Sequence, residues 1–483
     1  MFRIVYKKEL LENVQNYRFL LALVLCLIVI PLGFVVSQKD YADRRQVYDD
    51  TVRDDAELRK TAQDFLVNGG AAFRPPAALG LLSSGVETVL PNAVETRGFV
   101  TQEGAQVQFN NSRRLDNPFT SLFGRLDLAF IVTTVLAVLV MIFAFNAVVG
   151  EKERRTLAQV MANPVPRPVV IAAKMAAGGT LLGAAFLAGV LAGILLTTAL
   201  GIDPFRQGGT WAPFAIGVAA SLVFLLAFFG FGLLVSSNSR SSVSAMVGLL
   251  SCWVTLAMIL PKASVVAAKL VRPIKSQQVV ELEKTQVRRQ YQKDVEDAVE
   301  KLLQSTPGVK DMSMQEYMKA VRAKDPAIEG YAKAQEDIRA QFAARLNADL
   351  DRIDAAFDEQ RAGQAAAART IARLSPVSCL VHVLTELAGT GFAEDAAWRE
   401  TRSRYKQLVD RDIARNMDMT RFKNLSYGGG KIDRKAPAPK LPAQPVPLET
   451  RLAAVWVDLV LLAIYGLLFF TGAYVSFLRY DVR

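Results

Sequence analysis

Gly150-Glu151-Lys152-Glu153-Arg154-Arg155-Thr156-Leu157-Ala158-Gln159-Val160-Met161-Ala162-Asn163-Pro164 lies between two apolar runs, 126–149 and 175–200. Each run supplies the roughly 20 apolar residues with which a helix crosses a hydrocarbon core. The charged stretch between them is therefore expected to form a short helical turn at a membrane face. A soluble partner gripping such a turn could push on the membrane domain.

Four further runs have spanning length: 19–37, 214–236, 243–261 and 452–477. The first starts too late for a cleaved signal peptide, and no Ala-x-Ala-like site follows it, so it is expected to be a retained anchor. Of the 483 residues, 51% are hydrophobic and 21% charged, a mixture that reflects apolar blocks alternating with polar ones. Lys and Arg in the short loops set orientation. The pieces 1–18, 151–174, 237–242 and 478–483 carry many, whereas the short loop 202–213 carries only Arg206. Both termini are thus expected in the cytoplasm, with the long polar segments 38–125 and 262–450 extracytoplasmic. The formal charge of +11 calls for anionic headgroups rather than nucleic acid. Cys26 and Cys252 lie in apolar spans and Cys379 in the long polar segment, so they form no disulfide framework.

Residues 2–18 mix Phe2, Ile4, Val5, Leu10, Leu11 and Val14 with Arg3, Lys7, Lys8, Glu9 and Glu12, a pattern for a helix in the membrane interface. Within 38–125, the β-branched residues of 86–109 suggest one short hairpin. The third apolar run contains Gly179/Gly183 and Gly189/Gly193, a spacing that lets helix backbones approach closely. Beyond Pro273, Val280, Val287, Tyr291, Val295, Val299 and Leu302 form one stripe. Ile338, Phe342, Leu346, Leu350, Ile353 and Phe357 form a second, so an antiparallel helical hairpin is expected. A more apolar helix starts at Ser375-Pro376 and is broken by Gly389-Thr390-Gly391. A Gly- and Pro-rich linker over 428–448 leads to the last span. The expected architecture is an all-α polytopic membrane protein with six transmembrane helices. A large, mainly helical extracytoplasmic domain, 262–450, separates the fifth from the sixth, and 451–483 form the sixth span and tail.

The chain resembles the membrane subunit of an ABC exporter of the ABC-2-type (type V) class, in its subgroup with a large ectodomain. The residues that carry the likeness are Asn117-Pro118-Phe119, Leu126-Asp127, Gly150-Glu151-x-Glu153, Thr156-Leu157 and Asn163-Pro164-Val165-x-Arg167. Lys174 and the C-terminal Arg479-Tyr480-Asp481-Val482-Arg483 are also similar. One departure stands out: Arg155 occupies the place where the family usually has Gly before Thr-Leu. The resemblance implies an ABC exporter permease working as a dimer, with itself or a similar paralogue, alongside two copies of an ABC ATPase that bind ATP and Mg. It implies residence in a bacterial cytoplasmic membrane. It also makes 1–18 a connecting helix and 151–163 a coupling helix, with Glu151, Glu153, Arg154, Arg155 and Thr156 as polar contacts and Leu157, Val160 and Met161 as its apolar face. The helical ectodomain is a candidate surface for a periplasmic or envelope protein.

No Gly-x-x-x-x-Gly-Lys-Ser/Thr occurs, so the chain is expected to hold no nucleotide itself and to be no enzyme. His382, the single histidine, sits among apolar neighbours, and with Cys379 it makes too few ligands for zinc. Charge inside the spans is confined to Asp127, at the end of the second, and Asp458, about two turns into the sixth. Asp458 is the candidate for a transport path. A rival reading is a non-transporting membrane scaffold or sensor whose ectodomain binds an envelope partner. The charged turn and the interfacial helix discriminate, since a scaffold needs neither.

Overall fold

A computed structural model describes residues 1–58, 70–87, 93–101, 104–112, 126–162, 165–206, 208–323, 325–416 and 445–479. Asn117-Pro118-Phe119, Asn163-Pro164, most of the 428–448 linker and Tyr480-Asp481-Val482-Arg483 lie outside them. The chain divides into two units, Met1–Pro261 with Ala372–Arg483, and Lys262–Ile371.

In the first unit and its borders, six helices are long and apolar enough to cross a membrane: Tyr17–Glu57, Leu128–Glu153, Arg167–Ala199, Trp211–Asn238, Ser242–Val271 and Leu448–Arg479. Each contains or nearly contains one of the apolar runs, in the expected order, and most extend past it into polar sequence. The first is the clearest case, because helix-permissive charged residues carry it from its apolar part on to Leu58. Loop 79–82 turns back into the bundle, burying Leu79, Leu81 and Leu82. Its carbonyls accept from Leu128 N and Ala129 N at 2.8 and 2.9 Å, supplying partners at the start of the second span.

Small residues in the third span serve packing within the chain. A Cβ on Gly189 would stand 2.7 Å from the carbonyl oxygen of Cys26 in the first span, and backbone cannot step aside. Gly193 faces Phe34 of the same span, while Gly179 faces Leu226 of the fourth. Gly189→Val is expected to cost about 1–3 kcal/mol through overpacking, read as a lower thermal midpoint in detergent. An unchanged midpoint would contradict the close approach.

Two spans contain π-helical turns, Ile131–Leu136 and Val254–Ile259. Such turns loosen the regular ladder and leave carbonyls to be met by side chains. The Trp253 indole donates to Thr133 O at 3.2 Å, and the Ser375 hydroxyl to Leu256 O at 2.6 Å. Ser375 also caps the buried helix Pro376–Ala388, which ends at Gly389 with φ +75°. This helix packs on the fourth and sixth spans. With Phe392–Tyr405, at a 41° bend, it passes as a broken span or re-entrant pair. The sequence expectation carried one domain through 262–450; the separate compact unit ends at Ile371, because the apolar 376–388 segment buries itself among the spans instead.

Gly70–Phe73, Ala93–Thr101 and Gly104–Ser112 form an antiparallel three-stranded sheet in that order. Its second and third strands are the expected hairpin, with Thr101 opposite Gly104. The second unit is helical. Gln277–Gln304 and Pro326–Ala372 run antiparallel: Lys284 pairs with Asp354, and the Tyr291 hydroxyl donates to Asp349. Tyr291 meets the Phe342 ring edge-on at 6.5 Å, so the two stripes do face each other. At about 1.5 Å per residue the longer helix extends for roughly 70 Å.

Candidate functional site

The charged turn between the second and third spans is two short helices, Val149–Glu153 and Thr156–Ala162, rather than the single helix expected over 151–163. Arg155 separates them with φ +58°, the only positive φ of a non-glycine residue among those described. A left-handed backbone costs a side-chain-bearing residue about 1–2 kcal/mol, which gives a physical reason for glycine at this place in the resembling family. Arg155→Gly is expected to raise stability by about 1 kcal/mol, measured by thermal unfolding. Lower stability would show that the Arg155 side chain holds the turn together.

The turn is anchored on several sides. Glu151 pairs with Lys174 of the third span at 2.7 Å, and Lys174 also meets both carboxylate oxygens of Glu9 at 3.1 Å. Lys174 is only 4% exposed. Two carboxylates therefore compensate one ammonium that burial alone would make costly. Lys8 joins the cluster, 3.8 Å from Glu151 and 3.0 Å from Glu12. Burial works against charge on both Lys8 and Glu12, yet their neighbours prevail. Glu9 and Glu12 push the Lys8 value up, and Lys8 pulls that of Glu12 down. This part of the cluster thus persists through neutral pH and is lost as acid protonates Glu12 below the usual carboxylate range.

Glu153 accepts from the Ser242 backbone N at 2.7 Å and its hydroxyl at 2.6 Å, holding the start of the fifth span. The Lys152 ammonium donates to Ser237 O of the fourth span. Ser236 completes the joint: its hydroxyl donates to Phe145 O and accepts from Val148 N and Val149 N. The Thr156 hydroxyl reaches back to Glu151 O at 3.4 Å. Leu157 is 2% exposed, and Val160 and Met161 pack half-buried against the same core. The apolar face expected to meet a partner is therefore turned into the membrane unit, because the left-handed joint folds the second short helix back under the bundle. Arg154 and Arg155 are left exposed at the apex, beside Glu153.

The N-terminal helix, Phe2–Val14, docks through the same cluster, with the Tyr6 hydroxyl 3.2 Å from that of Thr180. Ile4 and Leu11 remain exposed, as an interfacial helix requires.

The intramembrane acids are both engaged. Asp127 caps the second span, accepting from Phe130 N, Ser84 N and the Ser84 hydroxyl. Asp458, with no exposed surface, accepts two bonds from the Arg373 guanidinium at 2.9 and 3.0 Å, with His382 Nδ1 at 3.3 Å. The Tyr465 hydroxyl donates to Arg373 O at 2.9 Å. Sequence reasoning singled out Asp458 but not Arg373, its partner 85 positions away, nor the joining of Glu9 to Lys174. Lys174 stood out only through the family likeness. The available signal for Glu9 was that it is one of two acids, with Glu12, on a largely apolar and basic helix.

A family model described as ABC-2 family transporter protein matches residues 3–482. No curated protein matches the sequence.

Proposed function

The chain belongs to the ABC-2 family of transporter proteins, and from that premise we propose that it is the permease half of an ATP-driven exporter, moved by a separate ATPase. Two ATPases and two permeases would form the working assembly in a bacterial cytoplasmic membrane, with both termini of this chain in the cytoplasm. ATP and Mg belong to the partner. The coupling segment is 151–162, and its apex, Arg154 and Arg155, offers charge-assisted contacts to an acidic groove on the ATPase.

The observation that supports this reading best is the ionic cradle. Through Glu151–Lys174, Glu153–Ser242 and Lys152–Ser237, the apex is tied to the third, fifth and fourth spans at once. A push on the apex would then tilt several helices as one body, a rigid-body switch of the kind that couples sites in bistable proteins. The scarcity of unpaired charge within the spans suits an amphipathic or lipid-like cargo better than an ion.

The test is co-purification of the ATPase with the chain carrying Arg154→Glu and Arg155→Glu. Neither side chain anchors the turn, so membrane insertion and thermal midpoint should hold while ATPase recovery falls about tenfold or more. Recovery equal to wild type would remove the apex from the interface.

A further inference from the structure

Arg74 is a buried cation without a counter-ion. It is 9% exposed, and its single hydrogen bond among the described residues is a long one, 3.4 Å from Nη2 to Gly389 O. No carboxylate lies beside it among the described residues. A guanidinium cannot shed its proton, and a buried charge with no partner is costly. Arg74 lines a cavity of about 380 Å³, together with Arg451 and Arg45.

Arg451 reaches Leu387 O and Glu394 at 3.4 Å each, and its Nε has no partner. Arg45 pairs with Asp49 at 3.2 Å on the exposed side. Among the described residues Glu394 is the only carboxylate in the lining, set against three guanidiniums. The carbonyls ending Pro376–Ala388 add a fraction of a negative charge, which leaves the cavity cationic. Leu79, Pro213, Leu448 and the buried Trp398 supply apolar wall beside the arginines.

We propose that this cavity binds a phosphate oxyanion carried on an apolar tail, that is, the headgroup of an anionic lipid, with Arg74 as its principal ligand and Arg451 and Arg45 flanking it. Arginine forks match phosphate oxygens in pairs, and the apolar wall takes the adjoining glycerol and upper chain. The inference stands apart from the coupling segment, since none of these residues belongs to it.

The test uses the full chain, delipidated in neutral detergent, with phosphatidylglycerol, phosphatidylcholine and inorganic phosphate as separate probes. Phosphatidylglycerol should raise the thermal midpoint and phosphatidylcholine should not. Arg74→Gln should weaken phosphatidylglycerol binding about tenfold or more, the loss of charged hydrogen bonds. Arg45→Gln, at a partly exposed position, should fold normally and weaken it a few-fold, so the proposal remains testable if Arg74→Gln does not fold. Equal effects of the two lipids, or unchanged affinity in Arg45→Gln and in any folded Arg74→Gln, would overturn the site. Inorganic phosphate binding as tightly as phosphatidylglycerol would overturn the lipid as its source.

Discussion

Lys174→Met is expected to destabilise the membrane unit by about 3–5 kcal/mol, the range for removing one partner from a buried ion pair. The loss exceeds that of an exposed salt bridge because Glu9 and Glu151 would lose the buried cation between them and keep only Lys8, which is half exposed. The N-terminal helix should loosen first. Glu9 is its buried polar anchor, while Ile4 and Leu11 gain nothing from the bundle. Thermal unfolding in detergent gives the magnitude, and limited proteolysis near residue 15 reports the loosening. Adding Glu9→Gln and Glu151→Gln should recover much of the loss, since a neutral trio strands no charge. If Lys174→Met alone unfolds like wild type, the cluster does not hold the turn.

Asp458→Asn is expected to cost about 3 kcal/mol. The amide preserves the shape but leaves the Arg373 guanidinium with no counter-charge; Arg373 is partly exposed, which places the cost toward the lower end for a broken pair. The pair also fixes the start of the buried Pro376–Ala388 helix. Arg373 O accepts from Tyr465, and two residues later Ser375 caps the helix and bonds the fifth span. Pairing Asp458→Leu with Arg373→Met should restore most of the stability. The same variants decide what Asp458 does for transport. A carboxylate already satisfied by Arg373 and His382 predicts a larger loss of stability than of export per folded molecule. The reverse ranking would return Asp458 to the transport path.

The spans were legible because a bilayer imposes length and apolarity on each one separately, so 126–149 or 214–236 could be recognised without its neighbours. Helical stripes such as Ile338, Phe342 and Leu346 were legible for a similar reason: periodicity is local. What escaped were the pairings. Glu9 meets Lys174 across 165 positions and Arg373 meets Asp458 across 85, and nothing in either local sequence names the other. The boundary of the helical domain was missed because Pro376–Ala388 is too short to register as a span. The charged turn was found, but its facing was not. Leu157, Val160 and Met161 read as an outward face only if 151–163 is one helix, and the left-handed Arg155 breaks it. The departure from glycine at that position was visible in sequence; its backbone conformation was not.

The most direct measurement of the account is cross-linking in membranes from a thiol placed at exposed Ala162 by Ala162→Cys, with Cys26, Cys252 and Cys379 replaced. A bifunctional reagent should join this position to a nucleotide-binding partner, with a yield that differs between ATP and ADP. Absence of such a product, or labelling of the same thiol in intact cells by a reagent that cannot cross the membrane, would contradict the proposal that a cytoplasmic ATPase drives the spans through this turn.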